Sequence, residues 1–186
     1  MLSIKINSAD FSDGGFSEEE SRIIVQRLEE AGLDLIELSG GTYESMSFDH
    51  KKESTKRREA FFIEFADRIR PHLKKAKLCV TGGFRSTPAM AEAINKGSCD
   101  IIGVARPLTA EHDFSNILLS GKRDAAKENL VNPGIQTASS YAQIGEWSKG
   151  RPIPDLSDKA TAEKVEKVIM EHRVESWTVH PPMEKA

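Results

Sequence analysis

Two glycine-containing turns in the middle of the sequence carry residue types that bind phosphate. The first, in the stretch VTGGFRS, has Gly82 and Gly83 directly after a run of strand-forming residues. Two consecutive residues without a Cβ atom let backbone N–H groups approach an anion closely, and the helix that follows adds the positive end of its dipole. A phosphate is the natural guest of such a turn. A tight connection between a strand and a helix, without any ligand, explains the same pair of glycines.

The second turn, in the stretch GVARPL, follows the next strand-like run and contains Ala105 and Arg106. The Arg106 guanidinium has the fork geometry that pairs with two phosphate oxygens, and the backbone N–H groups of Ala105 and Arg106 would face the same anion. An ion pair at the surface is the alternative role for Arg106. We expect Arg85, beside the first turn, to be exposed rather than to bind the ligand.

Lys5 is a further residue whose type and position could serve a ligand. In the stretch SIKIN the two-residue period of a strand places the isoleucines on one face and Lys5 on the other. If the isoleucines meet a helix layer, Lys5 points into the interior of a barrel, where its ammonium needs an acceptor because an unpaired buried charge is very costly. Glu37 on the next strand is one such acceptor, and an electron-rich ligand is the other.

The remaining reactive residue types give neither a catalytic nor a metal site. No Ser/His/Asp or Cys/His arrangement has local support, and Cys79 and Cys99 lie in apolar strand-like runs rather than in a CxxC motif. We therefore identify no catalytic residue and no metal ligand. Both thiols are expected to be small buried core groups.

The composition argues against several classes of function. A formal net charge of −3 and the lack of a Lys/Arg run interleaved with aromatic residues disfavour nucleic acid as a partner. No apolar stretch approaches the roughly 20 residues that a bilayer span needs, and the first residues lack the long apolar segment of a signal peptide. The sequence thus predicts a cytoplasmic protein with neither nucleic acid nor a membrane among its partners.

The elements that must position these residues alternate along the chain. Four strand-like runs, SIKIN, LDLIELS, KLCVTGG and CDIIGVA, are separated by stretches of helical periodicity, and three further helical stretches follow. The first helix is predicted to begin at Ser17, with Glu20 as its capping-box partner, and to end at Gly32. The order favours a parallel sheet covered by helices, either part of a (βα)8 barrel or a doubly wound open sheet.

An internal repeat supports the βα units. The stretches LEEAGLDLIELSGG and INKGSCDIIGVARP share one plan of helix, glycine, spacer, aspartate, strand and turn. About four strands are half of the eight in a closed barrel, so we expect an α/β fold, half of a TIM (βα)8 barrel with open sheet edges. We expect one partial-barrel domain over residues 1–186, with the βα units and phosphate site in 1–125 and a C-terminal loop and helices in 126–186.

With these residues identified, the chain resembles the C-terminal half of the old yellow enzyme family, in particular its fungal NADH:flavin oxidoreductase branch. The resemblance runs through IKINSADFSDGGFSEEES, GLDLIELSGGTYE, KRREAFF, VTGGFRS, DIIGVARPLTAEHDF and GRPIPDLSD, in that order. Several long segments matching in order are more specific than a lone glycine motif. The resemblance covers nearly the whole chain apart from its last dozen or so residues.

The resemblance implies a TIM barrel that holds FMN at the carboxyl ends of its strands, with this chain supplying strands five to eight. Gly82, Gly83, Ala105 and Arg106 match the family's FMN-phosphate site. Lys5 matches the basic residue that contacts the N1/C2 carbonyl edge of the flavin, where much of the family has arginine. A lysine keeps the charge but loses the planar fork.

The resemblance also implies a reaction, in which NAD(P)H reduces FMN and the flavin reduces a small α,β-unsaturated carbonyl compound. In the family, the residues that bind the substrate carbonyl and protonate the alkene lie on strands that would precede Met1. We therefore expect a truncated chain that is inactive alone, which leaves open whether it is an enzyme. The alternatives are a non-catalytic half-barrel that associates with itself or a partner half-barrel, and another phosphate-binding (βα) enzyme acting on a sugar phosphate.

Overall fold

The computed structural model describes residues 1–7, 17–39 and 63–179. The chain forms two compact units, Met1–Ala105 and Arg106–Ala186. The boundary that the sequence predicts, between residues 125 and 126, falls inside the second unit.

The first unit alternates strands and helices, as the sequence predicts. Its strands are β1 (Ser3–Asn7), β2 (Leu35–Ser39), β3 (Lys77–Thr81) and β4 (Ile101–Gly103), and its described helices are α1 (Glu18–Glu30), α2 (Ile63–Ile69) and α3 (Thr87–Asn95). A 3-10 turn over Arg70–His72 follows α2 and contains Pro71, which has no N–H group with which to continue an α-helix. The stretch KRREAFFIEFADRIRPHL is the second that the sequence predicts as a helix, and its beginning, at residues 56–62, lies outside the described residues.

The four strands form one parallel sheet in the order β1-β2-β3-β4. One face of this sheet carries the apolar core. Ile36 and Leu38 of β2 and Leu78 and Val80 of β3 are fully buried there. The helices supply the other half of this core through Val25, Leu28, Phe65, Ala66, Ile69 and Ala93, and Ile4 and Ile6 of β1 pack against it. The two-residue period of the strands therefore sets which face meets the helices, as expected.

Helix α1 begins and ends where the sequence predicts. The Ser17 hydroxyl accepts a hydrogen bond from the Glu20 N–H, and the Glu20 carboxylate accepts one from the Ser17 N–H at 2.8 Å. The chain leaves α1 through Gly32, whose φ of 95° favours glycine. After α3 the chain turns in the same way at Gly97, with a φ of 74°. Both copies of the sequence repeat thus stop their helix with a left-handed glycine.

Two aspartates connect neighbouring strands at their amino ends through hydrogen bonds to the backbone. Asp34, just before β2, accepts a hydrogen bond from the Leu2 N–H at 2.7 Å. Asp100, just before β4, accepts one from the Leu78 N–H of β3 at 2.9 Å. Each carboxylate therefore binds the backbone of the preceding strand segment. These are the aspartates of the sequence repeat, so the repeat encodes a contact between strands as well as the strand itself.

A third carboxylate holds the chain before β3. Glu29, near the end of α1, accepts hydrogen bonds from the N–H groups of Lys74, Lys75 and Ala76 at distances between 2.7 and 3.1 Å. Burial disfavours the charged form of Glu29, but these backbone donors outweigh it and hold the pKa of the carboxyl below its usual value. The carboxylate therefore satisfies three backbone donors that the helix-to-strand connection would otherwise leave without a protein acceptor.

The second unit is helical. Its helices are α4 (Arg106–Ala110), α5 (Phe114–Leu119), α6 (Gln136–Ser148) and α7 (Lys159–Val179), with a 3-10 turn at Pro133–Ile135. The last three helices confirm the predicted helical stretches. Helix α4 was not predicted, although Pro107 in its first turn is a start signal. Val131, Ile135, Leu156 and Ala162 form the core of this unit.

Within residues 1–7, 17–39 and 63–179, no helix combines the length and the apolar composition that crossing a bilayer requires.

We expect Asp100→Ala to destabilise the first unit by about 1–3 kcal/mol, because the Leu78 N–H loses its acceptor inside a half-buried contact. The same substitution removes the ion pairs of Asp100 with Arg70 at 3.0 Å and with Lys77 at 3.1 Å. Urea unfolding measures the loss, and faster hydrogen exchange of the Leu78 amide locates it.

Asp34→Ala is the matched control for this substitution, since its carboxylate makes the equivalent backbone contact but is 58% exposed against 19% for Asp100. We expect a smaller loss of stability for this variant. Equal losses would contradict the assignment of the larger effect to the burial of the Asp100 contacts.

Candidate functional site

The first glycine turn follows β3 directly. Gly82 has a φ of 141° and Gly83 a φ of 88°, and side-chain-bearing residues rarely adopt either value. The turn leads into α3, where the Ser86 hydroxyl accepts the Ala89 N–H at 3.5 Å as an N-cap. The backbone conformation therefore requires both glycines. This requirement is compatible with the phosphate interpretation and with the tight-turn interpretation alike.

The second predicted turn begins on the neighbouring strand. β3 and β4 pair in parallel with Thr81 opposite Gly103, so the residues that follow the two strands emerge at the same edge of the sheet. Gly82 and Gly83 follow β3, and Ala105, which is exposed, follows β4. The structure thus brings these three predicted site residues to adjacent strand ends within the first unit. The carboxyl ends of parallel strands are where α/β proteins bind their ligands.

Arg106 is the first residue of α4 and belongs to the second unit. Its half-buried guanidinium donates from Nη1 to Oε1 of Gln136 at 2.6 Å. Because this acceptor is a neutral amide, the contact orients the guanidinium without cancelling its charge. Sequence reasoning did not identify Gln136, which lies 30 residues further along the chain.

Lys5 lies on the face of the sheet opposite the helices, as the period of β1 predicts. Its Nζ is 2.9 Å from Oε1 of Glu37, its in-register neighbour on β2. Of the two acceptors that the sequence left open, the structure shows the carboxylate. The Lys5 side chain is 56% exposed, so this ion pair is accessible from solution.

Glu37 connects Lys5 to the end of β3. The Thr81 hydroxyl also hydrogen-bonds the Glu37 carboxylate. Burial alone would raise the pKa of Glu37, but the hydrogen bonds from Thr81 and Lys5 and the nearby ammonium charge hold it below its usual value. The carboxylate is therefore ionised at neutral pH and forms a nearly neutral unit with Lys5.

Gly103 makes room for the Thr81 hydroxyl. A Cβ atom at position 103 would lie 1.8 Å from Oγ1 and 2.8 Å from Cβ of Thr81, distances at which one of the two residues would have to move. The missing side chain on β4 therefore allows Thr81 to occupy the position from which it reaches Glu37. We call Lys5, Glu37, Thr81 and Gly103 the polar row. The sequence indicated small residues at this strand end but gave Gly103 no role.

The cysteines do not form a reactive site. Cys79 and Cys99 are buried free thiols, as predicted. Burial raises the pKa of both, that of Cys99 to about 11, so neither thiol is readily ionised for nucleophilic chemistry. In the part of the chain that the structure describes, no three or more His, Cys, Asp or Glu side chains are grouped so as to hold a metal ion.

The donors at these positions suit a phosphorylated ligand. Backbone N–H groups at a glycine turn and a guanidinium are the groups that bind phosphate oxygens in proteins. The ammonium of Lys5 adds a donor on the sheet face for an electron-rich ring or carbonyl. These residue types are therefore compatible with a flavin nucleotide, which carries a phosphate and a ring with carbonyl acceptors.

Comparison with characterised proteins finds relatives among fungal flavin enzymes. An NADH-dependent flavin oxidoreductase of Aspergillus parasiticus is 38% identical over 171 residues, which are 89% of this chain and 38% of that protein. One from Talaromyces variabilis is 44% identical over 103 residues, or 50% of this chain and 25% of the relative. The chain thus spans less than half the length of these relatives. No protein-family model matches it.

Two solved structures share the fold. The complex of 2-naphthoyl-CoA reductase with 2-naphthoyl-CoA matches with a TM-score of 0.56 and 25% identity, over 64% of this chain and 18% of that chain. Histamine dehydrogenase from Rhizobium sp. 4-9 matches with a TM-score of 0.52 and 29% identity, over 64% and 17% respectively. Both neighbours are TIM-barrel proteins, which confirms the predicted fold class: four parallel strands with helices that correspond to part of a barrel.

We expect Thr81→Val to raise the pKa of Glu37, because the substitution removes a hydrogen bond that stabilises the carboxylate. Gly103→Ala should act in the same direction, since the added methyl group displaces the Thr81 hydroxyl. An NMR titration of the Glu37 carboxyl carbon measures both shifts. Thr87→Val, which removes a threonine hydroxyl outside the polar row, is the control, and an unshifted Glu37 in Thr81→Val would refute the link.

The lowered pKa of Glu37 makes the stability of the folded protein depend on pH. A carboxyl whose pKa is lowered by folding stabilises the native state above the ordinary glutamate pKa of about 4.3, and this contribution is lost as the pH falls through the lower folded value. The free energy of unfolding of Thr81→Val should therefore depend less steeply on pH in this acidic range than that of the unmodified protein.

Proposed function

We propose that this chain binds FMN and functions in an oxidoreductase of the old yellow enzyme type. It is related in sequence to part of the fungal NADH-dependent flavin oxidoreductases. The observation that carries this proposal is the position of the two predicted turns at the ends of the paired strands β3 and β4. The substrates would be NAD(P)H and a small α,β-unsaturated carbonyl compound.

The chain's own part in this function is to hold the cofactor by its phosphate. We assign the backbone N–H groups of Gly82 and Gly83, and those of Ala105 and Arg106, to the 5′-phosphate of FMN. The Arg106 guanidinium would pair with the phosphate oxygens through two parallel hydrogen bonds. The positive φ angles of Gly82 and Gly83 are compatible with this assignment, and the pairing of β3 with β4, which brings the two turns side by side, is what favours it.

Lys5 would serve the N1/C2 carbonyl edge of the flavin. Because Glu37 is 2.9 Å from its Nζ, Lys5 would act mainly as a hydrogen-bond donor, and its electrostatic effect would be smaller than that of an unpaired cation. When bound, FMN supplies the hydride chemistry between the nicotinamide and the unsaturated carbonyl compound. We assign no residue within 1–7, 17–39 and 63–179 to substrate binding or to proton transfer.

We expect Arg106→Ala to weaken FMN binding about tenfold or more, because a charge-assisted hydrogen bond contributes about 1.5–3 kcal/mol. Riboflavin, which lacks the phosphate, should bind both proteins equally. Quenching of flavin fluorescence on titration with protein measures the affinities, and NAD(P)H-dependent reduction of an enone measures turnover.

Arg151→Ala is the matched control for charge, since Arg151 belongs to the same unit and its side chain is 61% exposed beside Glu146. This variant should keep the affinity of the unmodified chain for FMN. A chain that binds no FMN would contradict the proposal, and unchanged FMN affinity in Arg106→Ala would return Arg106 to a structural role.

A second function, association with a second half-barrel, is favoured by the face of the sheet opposite the helices. On that face Lys5 and Ile101 have exposed side chains, with 43% of Ile101 accessible. In the described part of the chain, β1 and β4 form the two edges of the sheet. Parallel sheets are normally buried on both faces, so a second copy of this chain could cover this face and pair with both edges.

We expect the purified protein to show the mass of a dimer in size-exclusion chromatography with light scattering. Ile101→Lys should shift the equilibrium towards the monomer, because a charge on this face must be desolvated when the copies associate. Leu119→Lys, an exposed site in the helical unit, is the control. A monomer at all concentrations of the unmodified protein would exclude this second function.

A further inference from the structure

We propose that Gln136 is a positioning residue that holds the Arg106 guanidinium in the orientation that binds phosphate. The inference rests on the proposed function, since it concerns the same guanidinium. It adds a residue from α6, which neither the glycine turns nor the strand ends contain. Both residues lie in the second unit and are in direct contact there.

The side-chain amide of Gln136 has a single workable orientation. Its Nε2 donates to the carbonyl oxygens of Val131 at 3.1 Å and Asn129 at 3.4 Å. A carbonyl oxygen can only accept, so the NH2 group must face these two atoms and Oε1 must face the other way. On that side Oε1 accepts from Nη1 of Arg106 at 2.6 Å. The orientation of the amide thus fixes one edge of the guanidinium.

The carbonyls that hold Gln136 are themselves held by the local backbone. The Asn129 side chain accepts the Val131 N–H at 3.0 Å, and the Asn132 side chain accepts the Gly134 N–H at 2.9 Å. Val131 is 1% exposed and anchors the segment in the core of the second unit. The segment before α6, which presents the two carbonyls to the amide, is therefore held by local hydrogen bonds and by one buried side chain.

The neutral charge of Gln136 decides what its contact with Arg106 can do. A carboxylate in this place would pair with the guanidinium and compete with a phosphate for the same donors. An amide oxygen takes one donor and brings no negative charge to the guanidinium. An arginine that is oriented in advance loses less side-chain entropy when it meets an anion, so the contact favours binding.

A second contact between the same two helices provides the control. The Thr109 hydroxyl of α4 shares its one proton between the Arg106 backbone carbonyl at 2.8 Å and Oε1 of Gln143 on α6 at 3.0 Å. Nε2 of Gln143 donates to the Pro154 carbonyl at 3.0 Å. Gln143 is 1% exposed. Gln143 thus joins α4 to α6 much as Gln136 does, but without contacting Arg106. Substitution of Gln143 tests the effect of loosening the two helices alone.

The experiment compares the affinities of the full chain for FMN and riboflavin, measured by flavin fluorescence, in the unmodified protein and in Gln136→Glu, Gln136→Leu and Gln143→Leu. The ratio of the two affinities isolates the phosphate contact, because a purely structural defect lowers both. We expect Gln136→Glu to reduce the FMN/riboflavin ratio at least tenfold and Gln136→Leu to reduce it several-fold. Gln143→Leu should leave the ratio unchanged.

The outcomes separate the inference from the function on which it rests. Gln136→Glu is nearly isosteric with the unmodified residue, and its thermal unfolding shows whether it is folded. It therefore still tests the inference if Gln136→Leu does not fold. An unchanged ratio in folded Gln136→Glu, with a strong preference for FMN in the unmodified chain, overturns the role of Gln136 alone. An unmodified chain that binds neither flavin, or binds both equally, overturns the proposed phosphate site and the role of Gln136 together.

Discussion

The parallel register of the four strands is the constraint on which the remaining structure depends. In a strand, a slip of one residue moves every side chain to the opposite face, so the amino ends must be fixed before the carboxyl ends can carry a site. Asp34 and Asp100 do this by binding backbone N–H groups of the neighbouring chain segment. Thr81 then lies opposite Gly103, and the turns that follow β3 and β4 start side by side.

The polar row contains one residue from each of the four strands, so its contacts depend on the register across the whole sheet. Gly103 leaves space for Thr81, Thr81 hydrogen-bonds Glu37, and Glu37 pairs with Lys5, so each residue depends on the strand beside it. Removing one member of such a network leaves its partner partly buried and less well paired, which costs more than the net value of the contact itself. The position of the Lys5 ammonium is therefore a property of all four strands.

The features that could be predicted from the sequence are those that depend on residues close together in the chain. Alternation in β1 identified the face of Lys5, and Ser17, Glu20 and Gly32 marked the ends of α1, because capping and strand period are local effects. The partner of Arg106 was missed, since Gln136 lies 30 residues away in the sequence and no local pattern connects the two residues. Likewise, the role of Gly103 depends on a cross-strand contact that no local pattern reports.

The aspartate that precedes each of β2 and β4 has a consequence for how such a chain can grow. Each βα segment of the repeat contains its own helix stop, at Gly32 or Gly97, and its own attachment to the strand before it. A tandem copy added after such a segment would therefore bring with it the aspartate carboxylate that binds the backbone of the preceding strand. Duplication of one coding segment would therefore copy the helix stop and the strand-binding aspartate together.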